Sequence, residues 1–242
     1  MAWTMVQWLA AGGAAILLTA CSDGGAGGSD KGSRSADEAN ASLTVAPTAQ
    51  VSADAPLVVA FGDSLYAGYG LDAGEGFAPE LQRRLAAAGT EAAVFNAGVS
   101  GDTTAAGLAR LAFTLDGLPK KPALVIIGLG GNDMLRGIGP ETTRSNLDAM
   151  LAELDRRGIP AMLTGMLAPP NLGEDYRTAF DAIYPDLARK HDAALYPFFL
   201  EGLVGNRALF LPDGIHPTAE GIDMVAEKVA PVVAGALGDA QR

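Results

Sequence analysis

From residue 57 onward, short apolar runs alternate with amphipathic stretches, a pattern typical of repeated β-α units around a parallel sheet. Five runs are too apolar for a sheet with one face in water, so we predict buried strands there. These strands lie at Leu57–Phe61, Ala92–Asn96, Ala123–Gly128, Pro160–Thr164 and Ala194–Pro197. The predicted helices are Pro79–Ala88, Thr104–Leu115, Glu141–Arg157, Asp175–Lys190 and Thr218–Leu237. This order predicts an α/β fold, a three-layer α/β/α sandwich with helices on both faces of the sheet.

The N-terminal segment has a different character. Residues 2–20 are almost wholly apolar or small, which is typical of an export signal, although no Lys or Arg precedes the apolar run. The sequence Leu18-Thr19-Ala20-Cys21 resembles a bacterial lipobox, which implies cleavage before Cys21 and acylation of its thiol. We therefore expect an exported, lipid-anchored protein of the cell envelope that contacts a membrane through its N-terminus. Simple secretion and an uncleaved membrane anchor are the alternatives.

These patterns divide the chain into four parts. The export signal occupies residues 1–21, and a tether rich in Gly, Ser and Ala occupies residues 22–55. The tether has too few large apolar side chains to offset the entropy of ordering it, so we predict a flexible spacer. The folded domain is predicted at residues 56–237, followed by a short tail at 238–242.

Composition removes several classes of function. Cys21 is the only cysteine, which excludes an intramolecular disulfide and any Cys-x-x-Cys site. The formal net charge of −11 disfavours nucleic acid as a partner. Neither a His-Glu-x-x-His motif nor a Gly-x-x-x-x-Gly-Lys phosphate loop occurs, so we expect no metal and no nucleotide cofactor.

Four segments combine small residues with polar ones. They are Gly-Asp-Ser-Leu at 62–65, the stretch 96–104 that contains Ser-Gly-Asp-Thr, Gly-Gly-Asn-Asp at 130–133, and Asp-Gly-Ile-His-Pro at 213–217. The first three follow predicted strands, and ligands of open parallel sheets bind beyond the carboxyl ends of the strands. We therefore predict that these segments form the site.

The residue types in these segments suit acyl transfer. A serine hydroxyl needs a neighbouring base to become a nucleophile, and the base needs a carboxylate to orient it. We predict Ser64 as nucleophile, His216 as base and Asp213, three residues earlier, as the carboxylate. The tetrahedral intermediate also needs hydrogen-bond donors, for which the backbone N–H groups of Ser64 and Gly101 and the side-chain amide of Asn132 are candidates.

Together, in this order and spacing, the four segments resemble the SGNH (GDSL-type) hydrolase family. Within it, Gly-Asp-Ser-Leu-x-Ala-Gly-Tyr and the Ala-Ile-Tyr-Pro stretch are similar to the bacterial thioesterase I, lysophospholipase and arylesterase subgroup. The resemblance covers about Leu57 to Ala234. It implies a flavodoxin-like sheet of order 2-1-3-4-5 without a metal, Ser64, Gly101, Asn132 and His216 as the family-defining positions, and Asp213 as the triad partner.

Each of these residues also has a structural interpretation. Ser64 could cap the helix after the first strand, and Asn132 and Asp213 could be turn residues. Asp63 and Asp102 are interpreted as acceptors for backbone N–H groups that shape their loops, and not as catalysts. His191 is the rival base, but its place at a helix end favours a structural role.

The function predicted from sequence is therefore hydrolysis of an acyl ester or thioester through an acyl-serine intermediate. A carbohydrate O-deacetylase of the same family is the first alternative, and a tethered acyl-binding domain without catalysis is the second. The α/β-hydrolase elbow Gly-x-Ser-x-Gly is absent, because Tyr66 stands at its second glycine. We expect the substrate to be selected by the segments 167–175 and 198–211.

Overall fold

The computed structural model describes residues 51–240, and these contain one five-stranded sheet of order β2-β1-β3-β4-β5, as predicted. Every neighbouring pair of strands is parallel. The strands are β1 (Leu57–Gly62), β2 (Ala93–Gly98), β3 (Leu124–Gly128), β4 (Ala161–Thr164) and β5 (Ala194–Tyr196). The helices are α1 (Ser64–Ala67), α2 (Phe77–Ala87), α3 (Thr104–Asp116), α4 (Gly131–Leu135), α5 (Pro140–Arg157), α6 (Glu174–Asp181), α7 (Ile183–Lys190) and α8 (Ala219–Ala240).

The sheet separates two apolar layers. Side chains of β1 alternate between them, since Val58 and Ala60 pack into one layer and Val59 and Phe61 into the other. The first layer is covered by α2 and α8, and the second by α3, α5 and α7. This is the three-layer sandwich that the sequence predicts.

Burial of the strands is less uniform than predicted. β1 and β3, in the middle of the sheet, are fully buried. β2 and β5 lie at the two edges and are only partly buried, and Asn96 of β2 is exposed. The prediction that every strand would be buried on both faces is therefore wrong for the edges, because an edge strand has a neighbour on one side only.

The helix predicted over 175–190 is divided in two. α6 ends at Asp181, and α7 begins at Ile183. Pro185 has no N–H to donate to the carbonyl of Asp181, and its ring crowds that carbonyl, so a continuous helix loses a bond there. The short helices α1 and α4 were not predicted, whereas α8 continues to Ala240 through Pro231, beyond its predicted end.

The N-terminal predictions fall largely outside the described residues. This is true of the export signal, of Cys21 and of most of the tether. The last tether residues contact the domain, because Ala55 is buried and the Lys120 Nζ donates to the carbonyls of Ala53 and Ala55. Within residues 51–240, no helix has both the length and the apolar character needed to cross a membrane.

Candidate active site

The short helix α1 carries Ser64 at its first position, directly after β1. Asp63, not Ser64, is the N-cap, and its Oδ1 accepts a 3.0 Å hydrogen bond from the N–H of Leu65. The Ser64 hydroxyl is therefore not used as the cap, and it faces the cleft. This excludes the interpretation of Ser64 as a helix-capping residue.

Tyr66 anchors α1 to the sheet. A Cβ at Gly62 or Gly128 would lie 2.4 or 2.1 Å from the Tyr66 ring, so the ring packs directly on the ends of β1 and β3. Its hydroxyl is 2.6 Å from Oγ1 of Thr164, at the end of β4. The tyrosine thereby holds α1, and with it Ser64, against three strands.

The structure brings Ser64, His216 and Asp213 together in the predicted order. The Ser64 Oγ lies 2.8 Å from His216 Nε2, and His216 Nδ1 lies 2.7 Å from Asp213 Oδ2. With Nδ1 donating to the carboxylate, Nε2 is left to accept the proton of the serine hydroxyl. This is the arrangement of a catalytic triad, in which a hydroxyl, an imidazole and a carboxylate are hydrogen-bonded in series.

Asp213 also shapes the loop that carries His216. Its Oδ1 accepts from the backbone N–H groups of Ile215 at 2.9 Å and His216 at 3.0 Å, and Gly214 takes a φ of +74° between them. The hydrogen bond from Ile215, together with those from His216, lowers the pKa of Asp213 to about 2. The carboxylate is therefore ionised at neutral pH.

Arg207 fixes the segment that leads to this loop. Its guanidinium donates to the carbonyls of Phe210, Leu211 and Pro212, at 3.1, 2.5 and 2.6 Å. The N–H of Leu211 donates to the carbonyl of His216 at 2.7 Å, which closes the loop at its base. The backbone that carries His216 is therefore fixed by hydrogen bonds from the Arg207 guanidinium and from the N–H of Leu211.

The predicted donors Gly101 and Asn132 line the same cleft as Ser64 and His216. The Nδ2 of Asn132 donates to the carbonyl of Asp102 at 2.9 Å and, in a longer bond of 3.3 Å, to Oδ2 of Asp63. Gly101 has a φ of +85°, which favours glycine, and its carbonyl accepts a 2.8 Å bond from Arg136 at the end of α4.

The two aspartates next to these motifs behave differently. Asp63 accepts from a backbone N–H, as predicted, and burial raises its pKa to about 6 despite that bond and the nearby His216. Asp102 instead pairs with the side chain of Arg110 at 2.6 Å, so the prediction of a backbone partner is wrong for it. Arg110 also donates to the carbonyl of Gly62, which links the loops after β1 and β2.

His191 is remote from the cleft lining. It follows α7, where its Nδ1 lies 2.5 Å from Asp155 Oδ2 and its Nε2 lies 2.7 Å from Asp148 Oδ1. Burial acts to lower its pKa, but the two carboxylates outweigh burial and raise it. Both ring nitrogens are occupied by structural partners, which agrees with the structural interpretation of this histidine.

Three residues of the site were not singled out from the sequence. The Tyr69 ring centroid lies 4.4 Å from that of His216, Arg136 holds the Gly101 loop, and the fully buried Asp133 accepts from the N–H and hydroxyl of Thr104. Asp133 could have been identified, because it completes the Gly-Gly-Asn-Asp segment. Tyr69 could have been identified as well, because it ends the Gly-Asp-Ser-Leu-x-Ala-Gly-Tyr segment. Arg136 has no sequence signal of its own, since its contact depends on how the loops fold.

The cleft has a volume of about 890 Å³. Its lining is largely apolar, and both segments predicted to select the substrate contribute apolar side chains to it, among them Leu167, Pro169, Pro170, Phe198, Leu200 and Phe210. A Cβ on Gly98 would lie 2.3 Å from Ala67, and a Cβ on Gly130 would lie 2.3 Å from the Tyr184 hydroxyl. These two glycines therefore serve packing within the protein.

A doubly wound sheet with a serine, a histidine and an aspartate hydrogen-bonded in series at its carboxyl edge defines a serine hydrolase of the flavodoxin-like type. Residues 60–223 match the GDSL-like lipase/acylhydrolase family. The chain belongs to this family and is a serine esterase of the SGNH class.

Individual relatives support the same assignment. Esterase TesA of Pseudomonas aeruginosa is 44% identical over 77% of this chain and 90% of its own. Thioesterase 1/protease 1/lysophospholipase L1 of Escherichia coli is 36% identical over 74% of this chain and 83% of its own. The crystal structure of AlinE4, an SGNH-hydrolase family esterase, matches with a TM-score of 0.65 and 52% identity, over 76% of this chain and 97% of that one.

Proposed function

We propose that the protein hydrolyses acyl esters and thioesters with Ser64 as nucleophile, His216 as general base and acid, and Asp213 as the orienting carboxylate. The observation that carries the proposal is the unbroken series of hydrogen bonds from Asp213 through His216 to the Ser64 hydroxyl. In the first half-reaction, His216 Nε2 takes the hydroxyl proton while Oγ attacks the carbonyl carbon. The same nitrogen then protonates the leaving alcohol or thiol, and an acyl-serine remains.

In the second half-reaction, water attacks the acyl-serine with His216 again as base, which releases the acid and restores the hydroxyl. In both halves the carbonyl oxygen becomes negative. We assign its stabilisation to the N–H groups of Ser64 and Gly101 and to the Asn132 amide. The Asn132 amide donates two hydrogen bonds, and the longer one, to Asp63, is weaker than the one to the Asp102 carbonyl. We therefore expect the amide to give up the bond to Asp63 when it donates to the oxyanion.

The lining of the cleft supports an acyl substrate. An apolar wall suits a hydrocarbon chain, and each buried methylene contributes about 0.8 kcal/mol. The two relatives are named as an esterase and as a thioesterase and lysophospholipase. These names indicate the same class of substrate, an acyl group held in an ester or thioester bond. We therefore expect both oxygen esters and thioesters to be substrates.

The proposal is tested with nitrophenyl and coenzyme A esters of graded acyl length. Wild type should cleave both series, with kcat/KM rising from acetyl to longer chains. Ser64→Ala should lose more than about a thousandfold in kcat, because the nucleophile is gone. Ser145→Ala, on the exposed face of α5, is the matched control and should stay at wild-type activity. Cleavage of acetyl groups alone would favour the deacetylase, and full activity of Ser64→Ala would refute the mechanism.

We further infer that the protein is exported and that Cys21 carries a lipid anchor in the cell envelope. The apolar segment 2–20 and the sequence Leu18-Thr19-Ala20-Cys21 support this assignment. A labelled fatty acid supplied to growing cells should be incorporated into the wild type and not into Cys21→Ser. Equal incorporation would contradict the assignment.

A further inference from the structure

The mouth of the cleft is surrounded by exposed apolar side chains. Seven large apolar side chains are exposed in the described part of the chain, and five of them line this cleft. We call these five the apolar rim: Tyr69, Leu135, Leu167, Val204 and Ile215. Their exposed fractions run from 45% at Leu167 to 67% at Val204. Exposed apolar residues scattered over a surface need no explanation, but their concentration around one opening marks an interaction surface.

Charge is scarce at the rim, although the chain carries a formal net charge of −11. The cleft lining contains only Asp63, Arg207 and His216 as acidic or basic side chains. Asp63 is buried, and Arg207 is held by three backbone carbonyls. The lining itself therefore presents no exposed carboxylate to an anionic or zwitterionic surface.

The position of the rim indicates what covers it. A protein or a second copy of this chain seated on the rim would close the mouth and block the substrate. A lipid surface would supply the substrate, because an acyl chain could pass from it into the apolar cleft without crossing water. Exposing the chain to water would cost about 0.8 kcal/mol per methylene.

We propose that the apolar rim docks on a phospholipid bilayer and that the active site takes its acyl substrate directly from that surface. The rim enters the interface from the last residue of α4, from loops that follow α1 and β4, and from the segment 204–215. This proposal rests on the acyl-ester specificity proposed above, but docking itself does not require turnover.

The test places an environment-sensitive fluorophore on a single cysteine in the full chain. With Cys21→Ser as background, Val204→Cys reports on the rim, and Phe113→Cys is the matched control. Among residues 51–240, Phe113 is the most exposed large apolar residue, at 83%, and it lies outside the cleft lining. The probes are read with vesicles of a diether phosphatidylcholine, which contains no ester to cleave, so the result does not depend on catalysis.

Emission at position 204 should shift to the blue and increase as vesicles are added, while emission at position 113 should not change. Adding Leu135→Ser and Ile215→Ser should raise the lipid concentration needed for half of the shift several-fold. Equal shifts at the two positions, or no shift at position 204, would overturn the proposal. Because each position is read separately, an N-terminal anchor that binds the same vesicles does not produce the expected difference.

Discussion

At the scale of single residues, the site depends on side chains that each serve two partners. Asp213 orients His216 with one oxygen and closes its loop with the other, and Asn132 bridges the loops after β1 and β2. Arg136 stands at the end of the helix that carries Asn132 and binds the carbonyl of Gly101. It therefore joins the segments that supply two of the three proposed oxyanion donors.

From this contact we predict that Arg136 positions the Gly101 peptide. Arg136→Ala should lower kcat about threefold to tenfold, because an exposed hydrogen bond of this kind contributes about 1 kcal/mol. KM should change less, since Arg136 lies outside the cleft lining. Steady-state kinetics on a short nitrophenyl ester measure both constants.

Arg156→Ala is the control for this substitution, because it removes an equally charged, exposed side chain of α5 that pairs with Glu153. Its kcat should equal that of the wild type. An unchanged kcat in Arg136→Ala, or an equal loss in the two variants, would show that the contact with Gly101 has no catalytic role.

At the scale of elements, His191 joins α7 to α5. Its two ring nitrogens bind Asp148 and Asp155, and Lys190 binds Asp148 as well. These carboxylates raise the pKa of His191 against the effect of burial. A histidine with a raised pKa in the folded state stabilises the fold fully below its unfolded pKa, about 6.5, and loses that contribution as pH rises through the folded pKa.

His191→Gln should therefore cost more stability at pH 6 than at pH 9, by about 1 kcal/mol. Urea unfolding of wild type and variant at the two pH values measures the difference. Lys190→Gln is the comparison, because it removes the other cation that binds Asp148 and leaves the histidine in place, so the pH dependence of unfolding should stay close to that of the wild type. A cost for His191→Gln that is the same at both pH values, or larger at pH 9, would contradict the assignment.

Element type and order could be predicted because they depend on local periodicity. The apolar runs at β1 and β3 and the stripe of α5 carry their own pattern, and the strand order followed from the resemblance. Element ends depend on single contacts instead. Pro185 divides the last long helix of the second layer, and α1 is held by Tyr66, which packs on glycines of β1 and β3. Pro185 is visible in the sequence, but the packing of Tyr66 joins residues that are distant along the chain and cannot be predicted from a local pattern.

At the scale of the whole molecule, the parallel sheet places the ends of β1, β2 and β3 at one edge, and the loop before α8 brings His216 to the same edge. Grouping Ser64, Gly101, Asn132, Asp213 and His216 was therefore predictable from the order of the strands. The apolar rim was not, because whether Val204 or Ile215 faces water depends on the path of its loop. The contact of the Tyr69 ring with that of His216 likewise depends on how two loops fold.

The central claim is that His216 activates Ser64 for attack on an acyl carbonyl. Its most direct test is the rate at which a fluorophosphonate labels the folded protein, with the modified residue identified by peptide mass spectrometry. The account predicts one label, on Ser64, and a rate that falls by orders of magnitude in His216→Ala. Labelling at another residue, or an unchanged rate in His216→Ala, would contradict it.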